Sequence, residues 1–134
     1  MKKRITCFLC LTLLLGFCAC GGNIKHAETH AVDSELYSQG DIESAIKTIT
    51  KEFRRQWTGC TLTEIYYAGD ETSKAHQEWA DRYDADEVIV LLSSFDVDAS
   101  GGDGSLNPNS TYHGWSWILV REDGGSWKHV DHGY

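Results

Sequence analysis

The sequence predicts an α+β domain over 38–134, in which a long N-terminal helix packs on a curved, mostly antiparallel four-stranded sheet. Two patterns carry this prediction. Apolar residues recur every three or four positions between Ser38 and Gly59, which is the spacing of one side of a helix. Four later segments are rich in β-branched and aromatic residues, and a second, short helix is predicted at 72–85. This order of elements is typical of α+β domains.

The predicted long helix has a recognisable start and end. Ser38 and Asp41 are spaced so that the serine oxygen can accept a hydrogen bond from a backbone N–H left unpaired in the first turn. Gly59 can adopt the left-handed conformation that ends a helix. The apolar side consists of Ile42, Ala45, Ile46, Ile49, Phe53 and Trp57. We expect this side to lie on the sheet, because an apolar stripe must be covered.

Four segments, 60–69, 86–98, 111–123 and 125–134, predict strands. The second contains the unbroken apolar run 88–92, which predicts a strand that is covered on both faces or that lies centrally in the sheet. The last two segments meet at an Asp-Gly-Gly turn signal, so they predict a hairpin.

The first residues, MKKRITCFLCLTLLLGFCAC, have the pattern of a secretory signal, with three cationic residues at 2–4 followed by an apolar run over 5–17. The small residue Ala19 directly before Cys20 makes the segment resemble the signal of bacterial lipoproteins. This resemblance implies a signal peptide over 1–19, lipidation of Cys20, and a lipid-anchored protein on the extracytoplasmic face of the cell membrane. A plain secretory signal with incidental cysteines is the alternative.

Residues 20–37 are polar and show no periodicity, so they predict a flexible tether between the anchor and the domain. Removing a signal that contains Lys2, Lys3 and Arg4 lowers the 12 Lys and Arg residues to 9 against 20 Asp and Glu, and the net charge moves from −8 to −11. A surface this acidic argues against nucleic acid as a partner, because nucleic-acid binding requires clustered Lys and Arg.

The loop FDVDASGGDGSLNPNSTY has two possible roles. Asp96, Asp98 and Ser100 fall at the first, third and fifth positions of a calcium-loop pattern, and Asp103 adds a carboxylate. Asn107 occupies the twelfth position, where a calcium loop has glutamate. The same residues are suited to partner recognition, or to a plain hairpin connection in which Asp and Asn side chains bond their own backbone.

The ending WSWILVREDGGSWKHVDHGY resembles the last hairpin of nuclear-transport-factor-like (cystatin-like) domains. The longer run from Ala85 to Tyr134 resembles a family of uncharacterised lipoproteins from Gram-positive bacteria, whose domain has no assigned function. These resemblances imply a fold and a location, and they imply no activity.

The last predicted strand carries the candidate catalytic residues. His129 and Asp131 are an acid/base candidate pair, since alternate residues of a regular strand share a face. By the same alternation His132 faces away from His129, which argues against a zinc pair. An enzyme would need this pair to point into a pocket beside Glu64 or Tyr66 rather than into a face filled by tryptophan.

The sequence therefore favours a non-catalytic, membrane-tethered module that binds a small molecule or a protein, and it predicts no cofactor. The alternative is a small hydrolase or isomerase that uses a pocket between sheet and helix.

Overall fold

The computed structural model describes residues 21–134. The predicted signal peptide (1–19) and Cys20 therefore lie outside the described residues. The α+β class and the four-stranded antiparallel sheet are confirmed. In chain order the elements are α1 (Gln39–Gln56), β1 (Cys60–Tyr67), α2 (Asp70–Ala75), α3 (Gln77–Arg82), β2 (Glu87–Val97), β3 (Thr111–Arg121) and β4 (Lys128–Gly133).

The sheet is a simple meander in the order β1-β2-β3-β4, with every neighbouring pair antiparallel. Cys60 pairs with Val97, Asp96 pairs with Thr111, and Ser116 pairs with Gly133. Because neighbouring strands are antiparallel, one end of the domain contains the start of β1, the end of β2, the start of β3 and the end of β4. The end of α1 lies there too, since α1 leads directly into β1.

The predicted start of α1 is confirmed. The backbone N–H of Asp41 donates to Ser38 Oγ at 3.1 Å, and the Ser38 N–H donates to Asp41 Oδ2 at 3.2 Å. The helix ends at Gln56 with Trp57 as its C-cap, and the predicted stop residue Gly59, which has a φ of +75°, lies in the turn that follows. A Cβ at this position would lie 2.5 Å from Ser100 Oγ, so the turn after α1 needs glycine both for its conformation and for space.

The two faces of the sheet are both covered. On one face Ile89 and Leu91 of β2 belong to the large core under α1, together with the buried α1 residues. On the other face Val88 and Val90 pack with Ala80 of α3 in a smaller core. The predicted coverage of the run 88–92 on both faces is therefore confirmed. The buried side chains of α1 are Ile42, Ala45, Ile49 and Phe53.

The predicted short helix divides into two helices of six residues, α2 and α3, separated at His76. The ring nitrogen Nδ1 of His76 lies 2.7 Å from the carbonyl oxygen of Thr72. Each short helix has its own buried anchor on the sheet. Ser73 accepts a hydrogen bond from the N–H of Val90 at 3.3 Å, and Ala80 is fully buried in the smaller core.

The prediction of a flexible tether over 20–37 is wrong for its described part, 21–37. Asn23 and Glu28 each form a parallel bridge with β1. The Asn23 N–H donates to the Cys60 carbonyl at 2.9 Å, and the Ile65 N–H donates to the Glu28 carbonyl at 2.9 Å. The physical reason is that β1 is an edge strand, whose outer N–H and C=O groups need partners.

The end of this segment is held by Asp70. The carboxylate accepts hydrogen bonds from Ser34 Oγ at 2.6 Å, the N–H of Glu35 at 2.8 Å and the hydroxyl of Tyr67 at 2.7 Å. The hydrogen bond from Ser34 is the main reason why the pKa of Asp70 is lowered to about 2, and the bonds from Glu35 and Tyr67 add to the effect.

We predict that Asp70→Asn removes an acid-sensitive part of the stability. A lowered carboxyl pKa stabilises the folded state above its unfolded value of 3.8, and this contribution is lost as the pH falls to about 2. The difference in urea midpoint between wild type and Asp70→Asn should therefore be full at pH 5 and should shrink towards pH 2. Asp33→Asn, at an exposed position in the same segment, is the matched control. An equal loss in both variants would contradict the assignment.

Candidate functional site

Strand β4 contains one residue more than the matching part of β3. Ile118 pairs with Asp131, and the next residue, Leu119, pairs with His129, so Val130 has no residue opposite it. This arrangement is a β-bulge, which breaks the regular alternation of side chains along a strand.

The bulge places His129 and His132 on the same face of the sheet, the face covered by α1. Their cross-strand partners, Leu119 and Trp117, both belong to the large core under α1. Asp131 lies opposite Ile118, which belongs to the smaller core on the other face. The prediction that His129 shares a face with Asp131 and that His132 faces away is wrong, because a regular alternation does not hold across a bulge.

The two histidines form a chain of contacts with a glutamate of α1. Glu52 Oε2 is in close contact with His129 Nδ1. The other ring nitrogen of His129, Nε2, lies 3.2 Å from His132 Nδ1 and 3.1 Å from the carbonyl oxygen of Asp131. The side chains of His129 and Glu52 are only 13% and 28% exposed, whereas His132 is exposed. This series of contacts thus leads from the half-buried carboxylate of Glu52 to the solvent-accessible imidazole of His132.

Aromatic rings surround His132 at the outer end of this series of contacts. The ring centroid of His132 lies 5.2 Å from that of Trp57, 5.9 Å from Trp115 and 5.3 Å from Trp117. Partial burial among these rings is the main cause of a lowered pKa for His132, and the neighbouring His129 lowers this pKa further. His132 is therefore held towards its neutral form.

A surface cleft of about 360 Å³ lies between the second half of α1 and the start of β4. It is lined by Thr48, Lys51, Glu52, Arg55, Gln56, Lys128 and His129. Cationic side chains form much of this lining in a chain whose net charge is −8. The cleft gives solvent and small solutes access to the Glu52 and His129 pair.

The space between α1 and the middle of the sheet is filled by aromatic side chains. Phe53, Phe95 and Trp117 are fully buried. The Phe53 ring centroid lies 5.9 Å from that of Phe95 and 6.4 Å from that of Trp117, and Trp57 closes the cluster at 5.0 Å from Trp117. These rings fill the space between helix and sheet in which the alternative, a small hydrolase or isomerase, would have its pocket.

Glu64 and Tyr66 do not lie beside the histidines of β4. Both residues belong to β1, at the opposite edge of the sheet. They contact His30 instead: Glu64 Oε1 is 3.4 Å from His30 Nδ1, and the Tyr66 ring centroid is 4.4 Å from that of His30. The enzyme alternative required His129 and Asp131 to share a pocket with Glu64 or Tyr66, and the structure does not bring these residues together.

The aspartate carboxylates of the loop between β2 and β3 accept hydrogen bonds from neighbouring groups of the protein. Asp96 accepts a hydrogen bond from Thr111 Oγ1 at 2.7 Å, and Asp98 and Asp103 accept from the N–H groups two residues further on, both at 2.9 Å. The Asn107 N–H donates to the Tyr112 hydroxyl at 3.1 Å. Within residues 21–134, no three His, Cys, Asp or Glu side chains are placed to hold a metal ion together. Asp96, Asp98 and Asp103 do not form such a group, and calcium binding by this loop stays a prediction.

The chain matches no protein-family model, no curated protein and no solved structure. In the part of the chain that the structure describes, no helix has the length and apolar character needed to cross a membrane.

Sequence reasoning selected His129 and missed Glu52. The available signal was the position of Glu52 three residues after Ile49 and directly before Phe53, at the border of the apolar stripe of α1. A carboxylate at such a border lies next to whatever the helix packs on. The identity of its partner could not be predicted, because the bulge in β4 decides which residue faces it.

We predict that Glu52→Gln destabilises the protein by about 1–2 kcal/mol at neutral pH, because it removes the charged partner of a largely buried imidazole. Urea denaturation measures the loss. Glu43→Gln, at an exposed position of the same helix, is the control and should change the stability by less than about 0.5 kcal/mol. Equal effects of the two substitutions would show that the Glu52 and His129 contact contributes nothing.

Proposed function

We propose that this chain is a lipid-anchored, extracytoplasmic lipoprotein whose α+β domain is a non-catalytic module that binds a small ligand or a protein partner. The observation that carries this proposal is the filled space between α1 and the sheet, where Phe53, Phe95 and Trp117 are fully buried. An enzyme that used a pocket between sheet and helix would need this space to be open. The polar groups gather instead in a surface cleft and at one end of the domain.

The proposed fold family is that of cystatin-like and nuclear-transport-factor-like domains. Support comes from a helix of 18 residues packed on an antiparallel four-stranded meander. The resemblance of the last hairpin to such domains points in the same direction. Because related folds serve many functions, the fold supports a scaffold for binding and no particular ligand.

The proposed anchor is a lipid on Cys20. If the lipid is there, the membrane is joined almost directly to the domain, because Asn23 is already paired with β1. Gly21 packs so closely on the end of α1 that a Cβ at this position would lie 1.9 Å from the Arg54 carbonyl oxygen. The end of the domain that carries Trp57 and the β2–β3 loop would therefore lie near the lipid surface.

The proposed contact surface for a partner combines this loop with the aromatic residues of the last hairpin. Tyr134 is 82% exposed, and its ring centroid lies 5.3 Å from that of Trp115 and 6.1 Å from that of Tyr112. Exposed aromatic residues next to polar loop groups are typical of protein interaction sites. Asp96, Asp98, Asp103 and Asn107 supply the polar part of the proposed surface.

One observation favours the alternative of a small hydrolase or isomerase. Glu52 contacts one ring nitrogen of His129, as a carboxylate does when it orients a catalytic base. The acid/base candidate would then be His129 with Glu52, and not His129 with Asp131. The site would be the surface cleft between α1 and β4.

We predict that Cys20→Ser prevents lipid attachment. Cells fed a labelled fatty acid should incorporate the label into wild type and into Cys18→Ser, and not into Cys20→Ser. Mass spectrometry of the N-terminal peptide should find Cys20 as the modified first residue in the wild type. Labelled Cys20→Ser protein would contradict the proposed anchor.

We predict that photo-crosslinking at Tyr134 in intact cells gives one discrete adduct, because a binding module presents this residue to its partner. The control position is Glu78, an exposed residue of α3 on the other face of the sheet. Adducts at neither position, or the same adducts at both, would count against a contact surface on the last hairpin.

A further inference from the structure

The bulge in β4 creates an arrangement of histidines that a regular strand would not allow. His129 and His132 lie three positions apart, yet both contact Trp117 on the α1 face of the sheet. We propose that His129 and His132 form a binding site for a divalent transition-metal ion of the zinc type. The site does not depend on a lipid at Cys20, and it goes beyond the proposed function because it names a ligand and the two side chains that bind it.

The separation of the two imidazoles fits two ligands of one ion. His129 Nε2 lies 3.2 Å from His132 Nδ1, and the ring centroids are 5.1 Å apart. Two Zn–N bonds of about 2.0–2.1 Å at a tetrahedral angle separate the nitrogens by about 3.3 Å and the ring centroids by about 5 Å. Both distances match those expected for two imidazole ligands of one ion.

Glu52 occupies the position of the carboxylate that accompanies a metal-binding histidine, although its Oε2 contacts His129 Nδ1 without forming a hydrogen bond in this structure. In such sites the ring nitrogen that does not bind the ion donates a hydrogen bond to a carboxylate or a carbonyl, which fixes the tautomer and the orientation of the ring. Glu52 Oε2 contacts His129 Nδ1, which leaves Nε2 as the nitrogen directed at His132. The Asp131 carbonyl oxygen, 3.1 Å from His129 Nε2, is placed to be a third ligand when Nε2 binds the ion and releases to solvent the proton that it shares with this oxygen.

The site is accessible and has open coordination positions. His132 is exposed, while His129 is only 13% exposed and is held in place by its neighbours. Since no third His, Cys, Asp or Glu side chain in residues 21–134 joins the pair, water or a group of a bound molecule would complete the coordination. Imidazole ligands favour zinc, copper and nickel, whereas magnesium and calcium favour oxygen ligands.

The test is a titration of the purified full chain with zinc chloride, followed by the imidazole C–H signals in NMR spectra. Cysteines among the first 20 residues can also bind zinc, so the readout is taken at the histidines. We expect the signals of His129 and His132 to shift together, and those of His113 on β3 to stay in place. Magnesium at the same concentration should shift the signals of none of these three histidines.

Two variants separate the site from general zinc binding. His132→Gln should weaken the binding seen at His129 at least tenfold, and Glu52→Gln should weaken it by about 10-fold or more through loss of the orienting carboxylate. His113→Gln is the matched control and should bind as the wild type does. The proposal is overturned if millimolar zinc leaves the signals of His129 and His132 unchanged, or if His132→Gln binds zinc at His129 with wild-type affinity.

Discussion

The contact between α1 and the sheet, centred on Phe53, is the interaction on which the rest of the structure depends. Phe53 is fully buried, and its ring lies against Phe95 of β2 and Trp117 of β3. Burying one such side chain contributes about 1.5–3 kcal/mol. Because Glu52 directly precedes Phe53, the packing that buries the ring also brings the carboxylate to His129 on β4. The core and the candidate site are therefore set by the same turn of helix.

A polar contact holds the other end of α1. Arg121, at the end of β3, is 9% exposed and donates hydrogen bonds to Asp41 Oδ1 at 3.1 Å and to Glu87 Oε2 at 2.7 Å. Its guanidinium carbon also lies 4.2 Å from the ring centroid of Trp127. With its two ends held by different kinds of interaction, α1 cannot slide along the sheet without breaking one of them. A fixed helix keeps Glu52 in register with β4.

The distribution of polar groups gives the proposed function its physical basis. The aromatic rings leave the space under α1 to apolar contacts, so chemistry is confined to the surface cleft and to the end that carries Trp115 and Tyr134. The segment 21–37 covers the outer edge of β1 and leaves the domain close to the predicted anchor at Cys20. A lipid at Cys20, as proposed, would hold the proposed binding groups a short distance from the membrane.

The sequence by itself determined the α+β class, the cap at Ser38, the apolar side of α1 and the double coverage of β2, because periodicity and capping depend on near neighbours. Only the tertiary structure decided the pairing of 21–37 with β1, the extra residue at Val130 and the facing of the two histidines of β4. These features depend on strand register and on a free strand edge. Register is a property of two strands together, and one misplaced residue reverses every face that follows.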